Sequence, residues 1–64
     1  MGNQIYVGGT LLSDVVSGDV SSVEVQLRET IEGGGGWVTI STGSSSEYRI
    51  RVSDNTEIIA RYQS

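Results

Sequence analysis

The second half of the chain, residues 33–64, confines what the molecule can become. It reads GGGG, WVTIST, GSSS, EYRIRV, SDN and TEIIARYQS. Three segments that alternate apolar and polar residues are separated by two runs of turn-forming residues, which is how an antiparallel β-meander is written. Tyr48, Ile50 and Val52 alternate with Glu47, Arg49 and Arg51, and Ile58, Ala60 and Tyr62 alternate with Glu57, Ile59 and Arg61. Successive side chains of a strand point to opposite faces, so each segment has one greasier face.

Parity then suggests a register for the last hairpin. A turn of Asp54 and Asn55 alone would set each strand's apolar row against the charges of the other. A loop of Ser53, Asp54 and Asn55 instead pairs Val52 with Thr56, Ile50 with Ile58 and Tyr48 with Ala60, and it places Arg51 opposite Glu57 and Glu47 opposite Arg61. Opposite charges facing across an antiparallel pair contribute roughly 0.2–1 kcal/mol each. Asn55 also falls where a type I turn followed by a bulge needs a left-handed residue. The longer loop is therefore the expected one.

If residues 42–46 close the middle hairpin, Val38 and Ile40 share the face of Tyr48 and Ile50, while Trp37 and Thr39 share the face of Arg49 and Arg51. With the last strand alongside, the solvent face collects Trp37, Arg49, Arg51, Ile59 and Arg61. These are the candidate partner-binding residues, because Trp and Arg are enriched at the centres of protein interfaces. The plainer reading is that Trp37 lies on Arg51 as a cation–π pair, or is covered by the N-terminal segment.

The first half is less decided. Asn3–Val7 reads as a short strand ended by Gly8 and Gly9, which mark a bend or bulge. Glycines leading into a helix could also cradle an anion, but the Lys and the spacing of a P-loop are missing. From Thr10 to Gly18, Leu11, Leu12, Val15 and Val16 repeat at helical spacing with Thr10 as a cap and Gly18 as a stop, which favours a short helix over an irregular strand. Asp19–Ser22 is turn chemistry. Alternation then resumes, with Val23, Val25 and Leu27 opposed to Glu24, Gln26 and Arg28, as a strand carrying Glu29 in its core row. A carboxylate there marks the edge of the core or a bulge, or else a pocket acid. Gly33–Gly36 would be a long hairpin loop leading to Trp37. The expected fold is all-β with at most one short helix: a small antiparallel meander or barrel of about five strands, in a single domain over residues 1–64.

Composition bounds the function. A chain of 64 residues buries only about 60% of its unfolded surface. An ordering cost of roughly 1.5 kcal/mol per residue nearly cancels apolar burial at about 25 cal/mol per Å². Cysteine and histidine are both absent, which excludes a disulfide and a zinc site built on nitrogen or sulfur. Self-association is the remaining common supplement. Serine and threonine hydroxyls have no His, Lys or Cys to activate or replace them, so no catalytic residue is nominated. Asp14, Asp19 and Asp54 lack the spacing of a calcium loop, and no metal or cofactor is expected.

The net charge of −4 and pI near 4.3 oppose an unassisted grip on a phosphate backbone. No apolar run approaches the roughly 18 residues that span a bilayer, and no basic-then-apolar leader opens the chain, so a soluble cytoplasmic protein is expected. The reading is a non-enzymatic binding or assembly module of structural or inhibitory kind, whose partner is a protein or a second copy. The alternative is an OB-like or SH3-like barrel for single-stranded nucleic acid or a small anion. There Trp37 or Tyr48 would stack on bases and Arg49, Arg51 and Arg61 would hold phosphates, against the repulsion of Glu47 and Glu57.

Overall fold

A computed structural model describes residues 2–43 and 45–63. Its elements in chain order are β1 (Gln4–Val7), β2 (Thr10–Leu11), a short 3-10 turn (Ser17–Asp19), α1 (Val20–Glu32), β3 (Gly35–Ser41), β4 (Glu47–Ser53) and β5 (Ile58–Arg61). Five strands in antiparallel pairs and one helix agree with the expected class in outline. The described strands form two open sheets, ordered β2-β1-β5 and β3-β4, and not a closed barrel.

The helix lies elsewhere than expected. Residues 10–18 hold β2, irregular backbone and the start of the 3-10 turn, and the segment from Val23 read as a strand is the body of α1. Val20, Val23 and Leu27 are buried and Ile31 is half-buried, a stripe at i, i+3, i+7 and i+11 that faces the core. Val23 and Leu27 fit both a strand and a helix period. Val25 separates the two, and it is 40% exposed. Glu29 consequently points to solvent on the helix and occupies no core row. Leu12 and Val15 are buried without belonging to a helix, while Leu11 and Val16 stay exposed.

The glycine run is not a hairpin loop. Gly33 closes α1, its N–H donating to Glu29 O at 3.1 Å, and Gly34 N–H donates to Ile31 O at 3.0 Å. Gly35 and Gly36 then open β3. At Gly35, φ is 100°, and a Cβ there would stand 2.5 Å from Val52 O and 2.8 Å from Ser53 Cα. Only glycine lets the chain pass so close to β4.

Gly8 and Gly9 form the tight turn of the β1–β2 hairpin, with φ of 57° and 86°, the two left-handed positions of a type I′ turn. The β3–β4 hairpin has the expected register, pairing Trp37 with Arg51, Val38 with Ile50, Thr39 with Arg49 and Ile40 with Tyr48. The last strand departs from expectation: β5 pairs with β1, Ile5 opposite Ala60 and Val7 opposite Ile58. The predicted pairs of Val52 with Thr56, Ile50 with Ile58, and Arg51 with Glu57 therefore do not form. Residues 53–56 make a self-contained turn instead, with Ser53 N–H donating to Thr56 Oγ1 at 2.8 Å and Thr56 N–H to Ser53 O at 3.3 Å. Asn55 is not left-handed, since Ser45 is the sole described non-glycine residue with positive φ. Pairing with β5 makes β1 a central strand and encloses Ile5, which is fully buried.

The core collects Ile5, Val7, Leu12 and Val15 from the first segment, Val20, Val23 and Leu27 from α1, and Val38, Ile40 and Val52 from the hairpin. No described polar or charged residue is buried with them. Leu27→Ala should lower stability by about 2–5 kcal/mol, whereas Val25→Ala should stay within about 0.5 kcal/mol. Equal losses in chemical denaturation would contradict the helical stripe. Gly35→Ala should lower the thermal midpoint further than Gly34→Ala, because both have positive φ but a Cβ at Gly34 meets nothing within 4 Å.

Candidate functional site

The β3–β4 hairpin fixes the spacing of its outer face. Thr42 N–H donates to Ser46 O at 3.0 Å, so the even-numbered residues of β3 exchange hydrogen bonds with β4. Trp37 with Arg51 and Thr39 with Arg49 are then the non-hydrogen-bonded pairs, whose Cα atoms approach to about 4.5 Å. Gln26 Nε2 donates to Thr39 O at 3.0 Å. That carbonyl points away from β4, as the parity requires, and the bond ties α1 to the outer edge of β3.

Trp37, Thr39, Arg49 and Arg51 thus form one closely spaced group. Trp37 is 70% exposed, so the N-terminal segment does not cover it. A shallow cleft of about 330 Å³ is lined by Trp37, Thr39 and Arg49. Arg49 Nε lies 3.1 Å from Glu47 Oε2, an exposed pair that contributes at most about 1 kcal/mol but sets the direction of the guanidinium. Arg51 has no ion-pair partner among the described residues.

Two of the expected residues fall outside this group. Ile59 and Arg61 are on β5, opposite Tyr6 and Gln4 of β1, and belong to the other sheet. Tyr48 is half-buried, and its hydroxyl accepts the Asp14 N–H at 3.3 Å. Its ring is therefore not a free stacking platform. Among the described residues no three His, Cys, Asp or Glu side chains converge to hold a metal, and no helix is long and apolar enough to cross a membrane.

A second polar feature was invisible without α1. The Tyr62 hydroxyl donates a hydrogen bond to the Glu24 carboxylate, and Glu24 in turn lies 3.5 Å from Arg28 one helical turn on. A groove of about 310 Å³ runs between α1 and β5, with Ile31, Ile58 and Ala60 lining it and Glu24, Arg28 and Glu32 at its rim. Reading residues 23–28 as a strand separated these partners. No protein family, curated protein or solved structure matches the chain.

The hydrogen bond to Glu24 holds the Tyr62 phenol above its ordinary value, and desolvation and the Glu24 charge act the same way, opposed by Arg28. Its folded pKa is raised, so its contribution to stability is fully present below the unfolded value near 10 and is lost as pH rises through the folded value. In an ultraviolet tyrosinate titration referenced to Tyr62→Phe, Glu24→Gln should bring the ionisation of Tyr62 to lower pH. An unmoved titration in Glu24→Gln would show that the bond does not form in solution.

Proposed function

We propose that the protein is a non-enzymatic protein-binding module whose contact surface is the outer face of the β3–β4 hairpin. The observation that carries this reading is Trp37, 70% exposed on a strand anchored by α1 and flanked by Arg51 and Thr39. An indole has few rotatable bonds and a large apolar area, so a partner that covers it gains burial at little ordering cost. The matching surface is a protein pocket for the indole, with a carboxylate placed for Arg51, which has no ion-pair partner among the described residues. A net charge of −4 for the whole chain leaves this cationic face as the place where an acidic partner would be tolerated.

The nucleic-acid alternative draws less support. Arg61 belongs to the other sheet, Arg49 is engaged by Glu47, and the Tyr48 hydroxyl is engaged by Asp14. Trp37 and Arg51 remain, a small footprint for a phosphate backbone.

A random peptide library selected on the immobilised domain tests the reading. Selected peptides should carry acidic side chains and shift the fluorescence of Trp37, the sole tryptophan. By calorimetry, Trp37→Ala should weaken them at least about 30-fold, the effect of losing roughly 2 kcal/mol at an anchor, with an unchanged thermal midpoint. Peptides that bind Trp37→Ala as tightly would sink the proposal. Binding of a single-stranded oligonucleotide that weakens with salt at a slope near −0.7 per phosphate would favour the alternative.

A further inference from the structure

β5 ends the β2-β1-β5 sheet, and its far edge is paired with nothing among the described residues. Gly8 N–H donates to Glu57 O at 2.8 Å, so residues 57, 59 and 61 direct their backbone groups to β1, and Ile58 and Ala60 turn theirs outward. Leu12 N–H donating to Ile5 O on the β2 side of β1 gives the same parity. This open edge is short, at four residues, but carries no proline, lysine or bulge, devices that would oppose strand addition. Beside it lies the groove lined by Ile31, Ile58 and Ala60.

We propose that the protein forms a two-fold dimer in which β5 pairs antiparallel with β5 of a second copy beside this groove, Ile59 opposite Ile59 and Glu57 opposite Arg61. The outward groups of Ile58 and Ala60 permit registers centred on residue 58, 59 or 60. Centring on Ile58 sets Glu57 against Ile59, and centring on Ala60 sets Arg61 against Ile59. Only the register centred on Ile59 brings opposite charges together, and two-fold symmetry does so twice. Glu57 and Arg61 are both exposed, and neither has an ion-pair partner among the described residues. They fall at non-hydrogen-bonded positions, where cross-strand side chains are closest.

In this register Ile58 hydrogen-bonds with Ala60 of the second copy, a large residue beside a small one, and both rows fall on the side of the groove. On the opposite face the row of exposed Leu11, half-buried Tyr6 and exposed Ile59 continues through Ile59 of the second copy into its own Tyr6 and Leu11. The other edges serve less well. Gln26 occupies the Thr39 carbonyl on β3, and on β4 every register centred on residue 49, 50 or 51 sets arginine against arginine. β2 is only Thr10–Leu11. The occupant is a second copy because the strand carries its own charge complement, and the inference stands on observations separate from the Trp37 face.

Sedimentation equilibrium across roughly 10 µM to 1 mM, the range that reads weak association, tests the dimer. The wild-type mass should rise from 6.8 kDa toward twice that value. Glu57→Arg and Arg61→Glu each set like charges together twice, and each should weaken association at least about ten-fold, the effect of roughly 1.4 kcal/mol. An equimolar mixture of the two variants should associate again, because every facing pair regains opposite signs. Circular dichroism and Trp37 fluorescence establish that each variant is folded. A wild type that stays at monomer mass, single variants that associate as the wild type does, or a mixture that stays monomeric would each overturn the proposal. Trp37→Ala should keep the dimer, and a monomeric Trp37→Ala would assign the association to the hairpin face and overturn the β5 interface. Arg61→Glu should bind the selected peptides unchanged, so failure of either reading remains separate from the other.

Discussion

Because the β2-β1-β5 and β3-β4 sheets share no backbone ladder among the described residues, the apolar stripe of α1 is what holds them to one another. Val20, Val23 and Leu27 meet Ile5 and Val7 from one sheet and Val38, Ile40 and Val52 from the other. Hydrogen bonds between the parts are sparse and peripheral, among them Gln26 to Thr39 and Asp14 to Tyr48. Cohesion therefore rests on non-directional burial. A single helix displaced by one turn would uncouple both sheets, and the exposed hairpin face would lose its footing with them.

The helix has little intrinsic support for this role. It lacks a side-chain hydrogen bond at its N-cap, carries no acid in its first turn and no base in its last, and includes Val20, Val23, Val25, Thr30 and Ile31, β-branched residues of modest helix propensity. A thirteen-residue helix of this kind is marginal alone. It is held by what it packs against and by the glycine cap that turns the chain back into β3. Helix and sheets are thus mutually dependent, which makes cooperative folding the expected behaviour of a domain this small.

What the sequence made legible follows from how local each determinant is. The β3–β4 register, and with it the placing of Trp37, Arg49 and Arg51 on one face, could be read because seven-residue strands joined by a short loop leave alternation little freedom. At Gly8–Gly9 only the end of β1 was legible, as a bend or bulge, and the hairpin to β2 was not, because the residues from Thr10 onward fit a helical spacing. The helix was not legible, because Val23 and Leu27 satisfy periods of 2 and 3.6 alike, the apolar Val25 on which the two differ suits a strand, and Val20, which completes the helical stripe, sits among the turn-like residues Asp19, Ser21 and Ser22. The pairing of β5 was hidden by a competing local solution. The charges of Arg51 and Glu57 suit a hairpin with β4, yet the Ser53–Thr56 turn closes on itself and the apolar row of β1 takes the strand. Ile59 and Arg61 left the predicted site along with it. Tertiary burial outweighed a pair of surface charges, as the magnitudes of the two effects would have it.

The β1–β5 ladder joins Gln4 to Arg61 and Val7 to Ile58, partners separated by most of the chain, whereas β3 and β4 meet across one short loop. Loop-closure entropy falls unevenly on these two sheets. The hairpin and α1 can assemble from neighbouring residues, while Ile5 must wait for residues near the far end before its strand has two neighbours. On a ribosome β1 would emerge well before β5 and, paired with β2 alone, would keep one edge open until residues 58–61 had followed. The order of synthesis and the order of assembly run in opposite directions, and the interval between them is when the first strand is open to pairing with another chain.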